Sequence, residues 1–128
     1  MSLGEIPTLR VLDLAGCAIS DAGLLSLLAQ LPTLEGVGLM QNTTLTVHGA
    51  SKAFALMKSV RRLNIKASTF VRRDPVPALE SILQHCLRLE ILEVAVEKSA
   101  GRPAYSALIA RGVKNQPCRL WDHSQDKL

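Results

Sequence analysis

Aromatic residues are nearly missing: Phe, Tyr and Trp together make up 3% of the 128 residues. A core without large rings must fill its volume with many similar aliphatic side chains, which suits a layered architecture of stacked, alike elements. The same scarcity removes the stacking platforms on which single-stranded nucleic acid is held. Cysteine is sparse too. Cys17, Cys86 and Cys118 are an odd number at long spacings without a CxxC pair, so neither a disulfide framework nor a zinc cage is indicated. Reduced thiols in an intracellular compartment are the expectation. No apolar run approaches the roughly 18 residues of a membrane-spanning helix, and the N-terminus lacks the basic and then apolar order of a secretory signal. The sequence therefore predicts a soluble, unexported chain with no membrane partner.

Catalytic spacings are missing as well. There is no P-loop, GxGxxG, HExxH or GxSxG, each of which the chemistry would fix in place. No catalytic residue, metal site or cofactor is expected. His48, His85 and His123 are scattered; His85 adjoins Cys86, but neighbours on a helix point in different directions. Cys86 is expected in the core with His85 facing out, and Cys17 as a small hydrophobe lining a turn.

What the chain does have is aliphatic content: 48% hydrophobic against 20% charged, enough apolar surface to offset chain entropy over one domain spanning residues 1–128. The net charge of +4, with a pI near 9.3, favours an acidic partner, nucleic acid or an anionic surface through long-range attraction.

The aliphatic residues recur in the pattern L-x-x-L-x-L. Four copies are anchored by Leu9, Leu12 and Leu14; Leu34, Val37 and Leu39; Val60, Leu63 and Ile65; and Leu89, Leu92 and Val94. Their starts lie 25, 26 and 29 residues apart, in the period range of leucine-rich repeats, and the third unit carries extra residues. Between these strands the apolar spacing changes to threes and fours, the signature of amphipathic helices. Ser20 or Asp21 caps a first helix with Leu24, Leu27, Leu28 and Leu31 on one face, ended by Pro32. A second uses Ala50, Ala53, Phe54 and Met57. A third follows Pro75 and Pro77 with Leu79, Ile82, Leu83 and Cys86, and a fourth runs from about Pro103 to Gly112. Right-handed strand–helix–strand crossovers then give a parallel sheet with helices outside. The run from Arg119 to Asp122 is expected to add a fifth strand or a capping edge.

With these residues in view, the sequence resembles the leucine-rich-repeat superfamily, in particular the cysteine-containing class found in F-box substrate receptors. The match is closest at Leu9, Leu12, Leu14, Cys17, Ile19, Ser20, Asp21, Gly23 and Leu24, and again at Leu79, Ile82, Cys86 and Leu89. Asn42 and Ser68 depart from it at the cysteine position of the second and third units. The resemblance covers roughly residues 6 to 97 and implies an α/β fold: a right-handed horseshoe solenoid of about four strand–helix repeats, with a parallel sheet on its concave face. It also implies a protein-binding scaffold. A role as the recognition part of a ubiquitin ligase would require an F-box outside this chain. Repeat one starts almost at the first residue, so neighbouring repeats or another subunit are expected to cover the N-terminal edge, the chain being a piece of a longer solenoid or a subunit of an assembly.

In such a strand the anchors point into the core and the residues between them face the partner. That places Val11, Gly36, Arg62 and Ile91 in one row, Asp13, Gly38, Asn64 and Glu93 in the next, and Ala15, Met40, Lys66 and Ala95 in a third. Arg62 and Lys66 form a basic spot beside the floor left by Gly36 and Gly38, flanked by Asp13 and Glu93. The long connection after strand three adds Arg72 and Arg73 on the rim. The expected function is non-catalytic recognition of an acidic protein segment by these cations, with Met40 and Phe70 as apolar contacts. Weak, salt-sensitive binding to nucleic acid or an anionic surface is the second reading. Ordinary solvated charges, with Arg62 paired to Glu93, are the bland alternative, and Phe70 is expected to fold back on the solenoid rather than to wait for a partner. Trp121 is expected to cap the last hydrophobic layer, and residues 123–128 to fray.

Overall fold

The computed structural model describes residues 9–72, 74–95 and 102–115. Each L-x-x-L-x-L segment forms a strand of three residues: β1 (Val11–Asp13), β2 (Gly36–Gly38), β3 (Arg62–Asn64) and β4 (Ile91–Glu93). The connecting segments supply α1 (Asp21–Ala29), α2 (Val47–Ala55), α3 (Thr69–Arg72) and α4 (Val76–His85), and α5 (Arg102–Ala110) follows β4. The described chain is thus an α/β structure with a four-stranded parallel sheet in the order β1-β2-β3-β4 and five helices.

The register is without slip. Val11 lies opposite Gly36, Gly36 opposite Arg62 and Arg62 opposite Ile91, so the middle anchors Leu12, Val37, Leu63 and Leu92 line up on one face. The ladder continues past each strand: Leu14 N–H donates to Gly38 O at 2.8 Å, Leu39 N–H to Asn64 O at 2.7 Å and Ile65 N–H to Glu93 O at 3.0 Å. Each of the first three strands then turns through a left-handed residue at the same offset, Gly16 (φ 72), Gln41 (φ 58) and Ala67 (φ 61). Two of these are not glycine, so the main-chain pairing outweighs the roughly 1–2 kcal/mol of Cβ strain at each.

Helix starts follow their caps. Ser20 Oγ accepts from Gly23 N–H at 3.0 Å, and Thr46 Oγ1 accepts from Gly49 N–H at 3.0 Å. The helices pack in order, α1 on α2, α2 on α4 and α4 on α5. Their inner faces bury Leu24 and Leu28, Ala50, Ala53 and Phe54, Leu79 and Ile82, and Leu108 in one cluster with Val37, Leu63 and Leu92. Each large aliphatic side chain so buried is worth about 1.5–3 kcal/mol. At the β1 end the burial is incomplete: Leu9, Leu12, Leu14, Ile19, Leu25 and Leu27 are only partly covered.

Two expectations need correction. The connection after β3, read as an open functional loop, contains α3, which buries Phe70 and Val71. Phe70 packs its ring 6.2 Å from that of Phe54 and is buried, folded back as expected. Four residues are too short a run to show helical periodicity, and burying an aromatic outweighs leaving it in water. The next helix begins at Val76, ahead of Pro77, because Asp74 Oδ1 accepts the Val76 N–H at 3.1 Å and a proline costs nothing within the first turn. Beside β4, Lys114 bridges Ile91 in parallel. Lys114 N–H donates to Glu90 O and Leu92 N–H to Lys114 O, both at 2.8 Å. The segment Arg119–Asp122, Trp121 and residues 123–128 lie outside the described residues, as do residues 1–8.

One contact between helices is unusually demanding. Asp21, the first residue of α1, accepts the Thr46 N–H at 2.9 Å and the Thr46 hydroxyl at 2.6 Å, so a carboxylate sits at the start of α2. A Cβ at Gly49 would lie 2.0 Å from the Asp21 carboxyl carbon. Gly49→Ala is therefore expected to expel that carboxylate and lower stability by roughly 1–3 kcal/mol in denaturant unfolding. In a double-mutant cycle, adding Gly49→Ala to Asp21→Ala should cost much less than Gly49→Ala alone; additive costs would show the two residues are uncoupled.

Candidate functional site

Residues of period two leave the sheet on alternate faces. The anchors take one face into the core, so the face bearing positions 11 and 13 of β1 and their partners is directed away from it. The pairing gives two of the predicted rows directly: Val11, Gly36, Arg62 and Ile91, then Asp13, Gly38, Asn64 and Glu93. The third row, Ala15, Met40, Lys66 and Ala95, continues at the strand ends, where Gly16 N–H donates to Met40 O at 2.9 Å and Gln41 N–H to Lys66 O at 3.0 Å.

Within these rows the predicted residues differ in what they offer. Gly36 and Gly38 are both buried between the strands of their neighbours, Gly36 with Val11 and Arg62 on either side, Gly38 with Asp13 and Asn64. Arg62 is half-buried and Lys66 exposed, and residues 62, 64 and 66 share a face of the strand. Asp13 is exposed, and its Oδ1 accepts the Ala15 N–H at 3.0 Å. Glu93 is half-buried, and Arg72 is exposed at the end of α3. Arg73 lies outside the described residues.

Asn64 has a different place from the one expected. It is 2% exposed; its amide nitrogen lies 3.7 Å from Met40 Sδ, and its Oδ1 accepts the Lys66 N–H at 3.0 Å. Asn64 therefore shapes the turn that carries Lys66 and braces the half-buried Met40. The ion pair beside this surface also differs from the expected alternative. Arg61, not Arg62, makes it, with Glu90 at 3.6 Å and both side chains about half exposed (50% and 55%). Such a pair contributes about 0–1 kcal/mol. Among the described residues Arg62 makes no ion pair with Glu93.

A second set of residues, seen in the sequence only as departures from the cysteine pattern, holds the loops that edge this surface. Asn42 and Ser68 are both fully buried. Asn42 donates from Nδ2 to Cys17 O at 2.9 Å and accepts at Oδ1 from the N–H of Leu45 at 2.9 Å and of Thr44 at 3.0 Å. Ser68 Oγ accepts the Asn42 N–H at 3.1 Å and itself donates to Leu39 O. A buried loop carbonyl or amide is costly unless paired, and here one row of polar side chains does the pairing. The signal that could have found it is the offset: 17, 42 and 68 share the spacing of the strand anchors.

The thiols offer little chemistry. Cys17, expected to line its turn, is exposed, because its backbone carbonyl and not its side chain is what the neighbouring loop uses. Cys86 is buried, its Sγ 3.7 Å from Phe54 O. Burial pushes its pKa up from 9.0 to about 12 despite the opposing charge of Arg111, so the thiol stays protonated and unreactive near neutral pH. Cys118 lies outside the described residues. Among the described residues no group of three or more His, Cys, Asp or Glu side chains converges on a metal position, and no helix is long and apolar enough to cross a membrane.

No protein-family model matches the chain, and no curated protein sequence matches it.

Because Asn42 serves three main-chain groups at once, Asn42→Leu is expected to lower stability by about 2–4 kcal/mol, chiefly by stranding Leu45 N–H and Cys17 O out of water. Chemical denaturation should show a lower midpoint at unchanged slope. A loss under about 0.5 kcal/mol, the level of an ordinary surface change, would mean the loops hold without it.

Proposed function

We propose that this chain is a short leucine-rich-repeat solenoid that binds an acidic segment of a partner protein, without catalysis, through the sheet face directed away from the helices and the rim after β3. Support for the solenoid comes from the sequential parallel pairing, the left-handed turns at matching offsets and the helices packed in chain order. The observation that carries the binding role is one juxtaposition. Strand β2 presents two glycines, leaving no side chain between Val11 and Arg62 or between Asp13 and Asn64. Both glycines are buried by their neighbours, so a partner would reach the face through the side chains bordering them, of which Arg62 is half-buried and Lys66 exposed, with Arg72 exposed at the end of α3. Arg62 is not spent on Glu93, so its guanidinium is available to a carboxylate from outside.

The test is direct binding of a fluorescent Asp/Glu-rich peptide, compared with a neutral peptide of the same length and a random oligonucleotide, over a salt series. The wild-type chain is expected to prefer the acidic peptide, and Arg62→Glu with Lys66→Glu to weaken it by about tenfold or more, which is about 1.4 kcal/mol. Equal binding by wild type and double variant would overturn the assignment to this face. Preference for the oligonucleotide with a steep salt dependence would replace protein recognition with phosphate-backbone attraction.

A further inference from the structure

Away from the sheet face, the ends of α2 and α4 enclose a cleft of about 280 Å³ lined by Lys58, Ser59, His85, Leu87 and Arg88. Four of these five side chains carry N–H or O–H donors, and among the described residues no carboxylate lines the cleft. Two of the four are full cations. The usual reason for basic residues at such a place is that they cap helix carbonyls and offset the negative end of the helix dipole. That reason does not apply to these two. The end of α4 is already served by Arg111, whose guanidinium donates to Leu83 O at 3.0 Å and to Cys86 O at 2.7 Å. At the end of α2, Phe54 O accepts the Met57 N–H at 3.0 Å, with Cys86 Sγ 3.7 Å away. The nearest acid along the chain, Glu90, is engaged by Arg61 at 3.6 Å. Among the described residues neither Lys58 nor Arg88 has a side-chain hydrogen bond or an ion pair, although both border the same cleft.

Leu87 adds a second feature. It is 70% exposed, the most exposed large aliphatic of the described residues, and it stands between His85 and Arg88 in the cleft wall. Free cations, a hydroxyl and an imidazole around a small concavity fit a compact, multiply charged anion better than a single carboxylate, and the aliphatic wall fits a short carbon stem. We infer that this cleft binds a phosphomonoester: Lys58 and Arg88 hold the phosphate oxygens, Ser59 and His85 supply further donors, and Leu87 covers the ester carbon. The ester is either a phosphorylated side chain of a partner or a small phosphorylated molecule. This site is separate from the sheet face and stands whether or not the acidic-peptide reading does.

The test is a titration of the ¹⁵N-labelled full chain with inorganic phosphate, O-phosphoserine and a phosphoserine peptide, following amide shifts. The expected result is saturable shifts confined to the segments around Lys58–Ser59 and His85–Arg88, weakened about tenfold or more in Lys58→Ala with Arg88→Ala. Ser59→Ala should weaken them less. A charge-matched control, Arg10→Ala with Lys52→Ala, removes two exposed cations elsewhere and should bind as the wild type does. Tighter binding of the peptide than of O-phosphoserine would identify a partner chain as the source, and equal binding a small molecule. Shifts that never saturate, that spread over all basic segments, or that weaken as much in the control pair as in the Lys58/Arg88 pair would overturn the inference. All variants lie on the surface, and retention of the dispersed amide spectrum verifies their fold.

Discussion

A main-chain ladder that never slips is the constraint on which the other features rest. Each strand is only three residues long, yet Val11, Gly36, Arg62 and Ile91 pair in line, and the bonding runs on to Leu14, Leu39 and Ile65. A shift of one residue in any pair would exchange core anchors for face residues along the whole strand. With register held, residues at equal offsets meet their counterparts. Leucine meets leucine in the core, one left-handed turn lies beside the next, and Asn42 comes within reach of both Cys17 and Ser68. Short strands contribute few bonds each, so the aliphatic core packed by α1, α2, α4 and α5 must hold the ladder in place.

The same constraint explains why polar groups are tolerated inside. Loops that follow aligned strands bring unpaired amides and carbonyls together below the surface, where each unpaired one would cost about 1–3 kcal/mol. Asn42 and Ser68 answer them from inside, and Asn115 does so from the surface. Asn115 accepts the Val94 N–H at 3.3 Å and donates to Val94 O at 3.1 Å, doing beside β4 a task like that of Asn42 beside β1. Asp21 does the corresponding work between helices, at the cost of requiring glycine at position 49.

Much of this was legible in the sequence because it is periodic. Strand positions, the inner faces of α1, α2 and α4, the cap at Ser20 and the burial of Cys86 all follow from spacings repeated from Leu9 to Val94. What escaped the reading is local and non-periodic. Helix α3 is too short to show a pattern, so its connection looked like a loop, although Phe70 folds back as its size suggested. The bridge of Lys114 to β4 is made by backbone bonds, which carry no residue preference. Asn64 was placed correctly in its row, but its burial depends on Met40 and the Lys66 amide, and neither interaction can be inferred from alternation alone. Arg61 and Arg62 are adjacent, and which of them meets an acid is decided by the register with Glu90.

For function, the consequence is a division of labour between surfaces. Main chain and aliphatic core fix the rows: β2 contributes two buried glycines, with Arg62 half-buried and Lys66 exposed at and just past β3, and Asp13 exposed on the other side. All of it presupposes the ladder. The most direct measurement is native-state hydrogen exchange at the amides of Leu39 and Ile65, whose partners lie on the next strand along. The account predicts that both exchange only through global unfolding, with opening free energies equal to the stability measured in denaturant. Exchange of either amide through a local opening several kcal/mol below that value would contradict it, because the ladder could then open while the rest of the fold stayed intact.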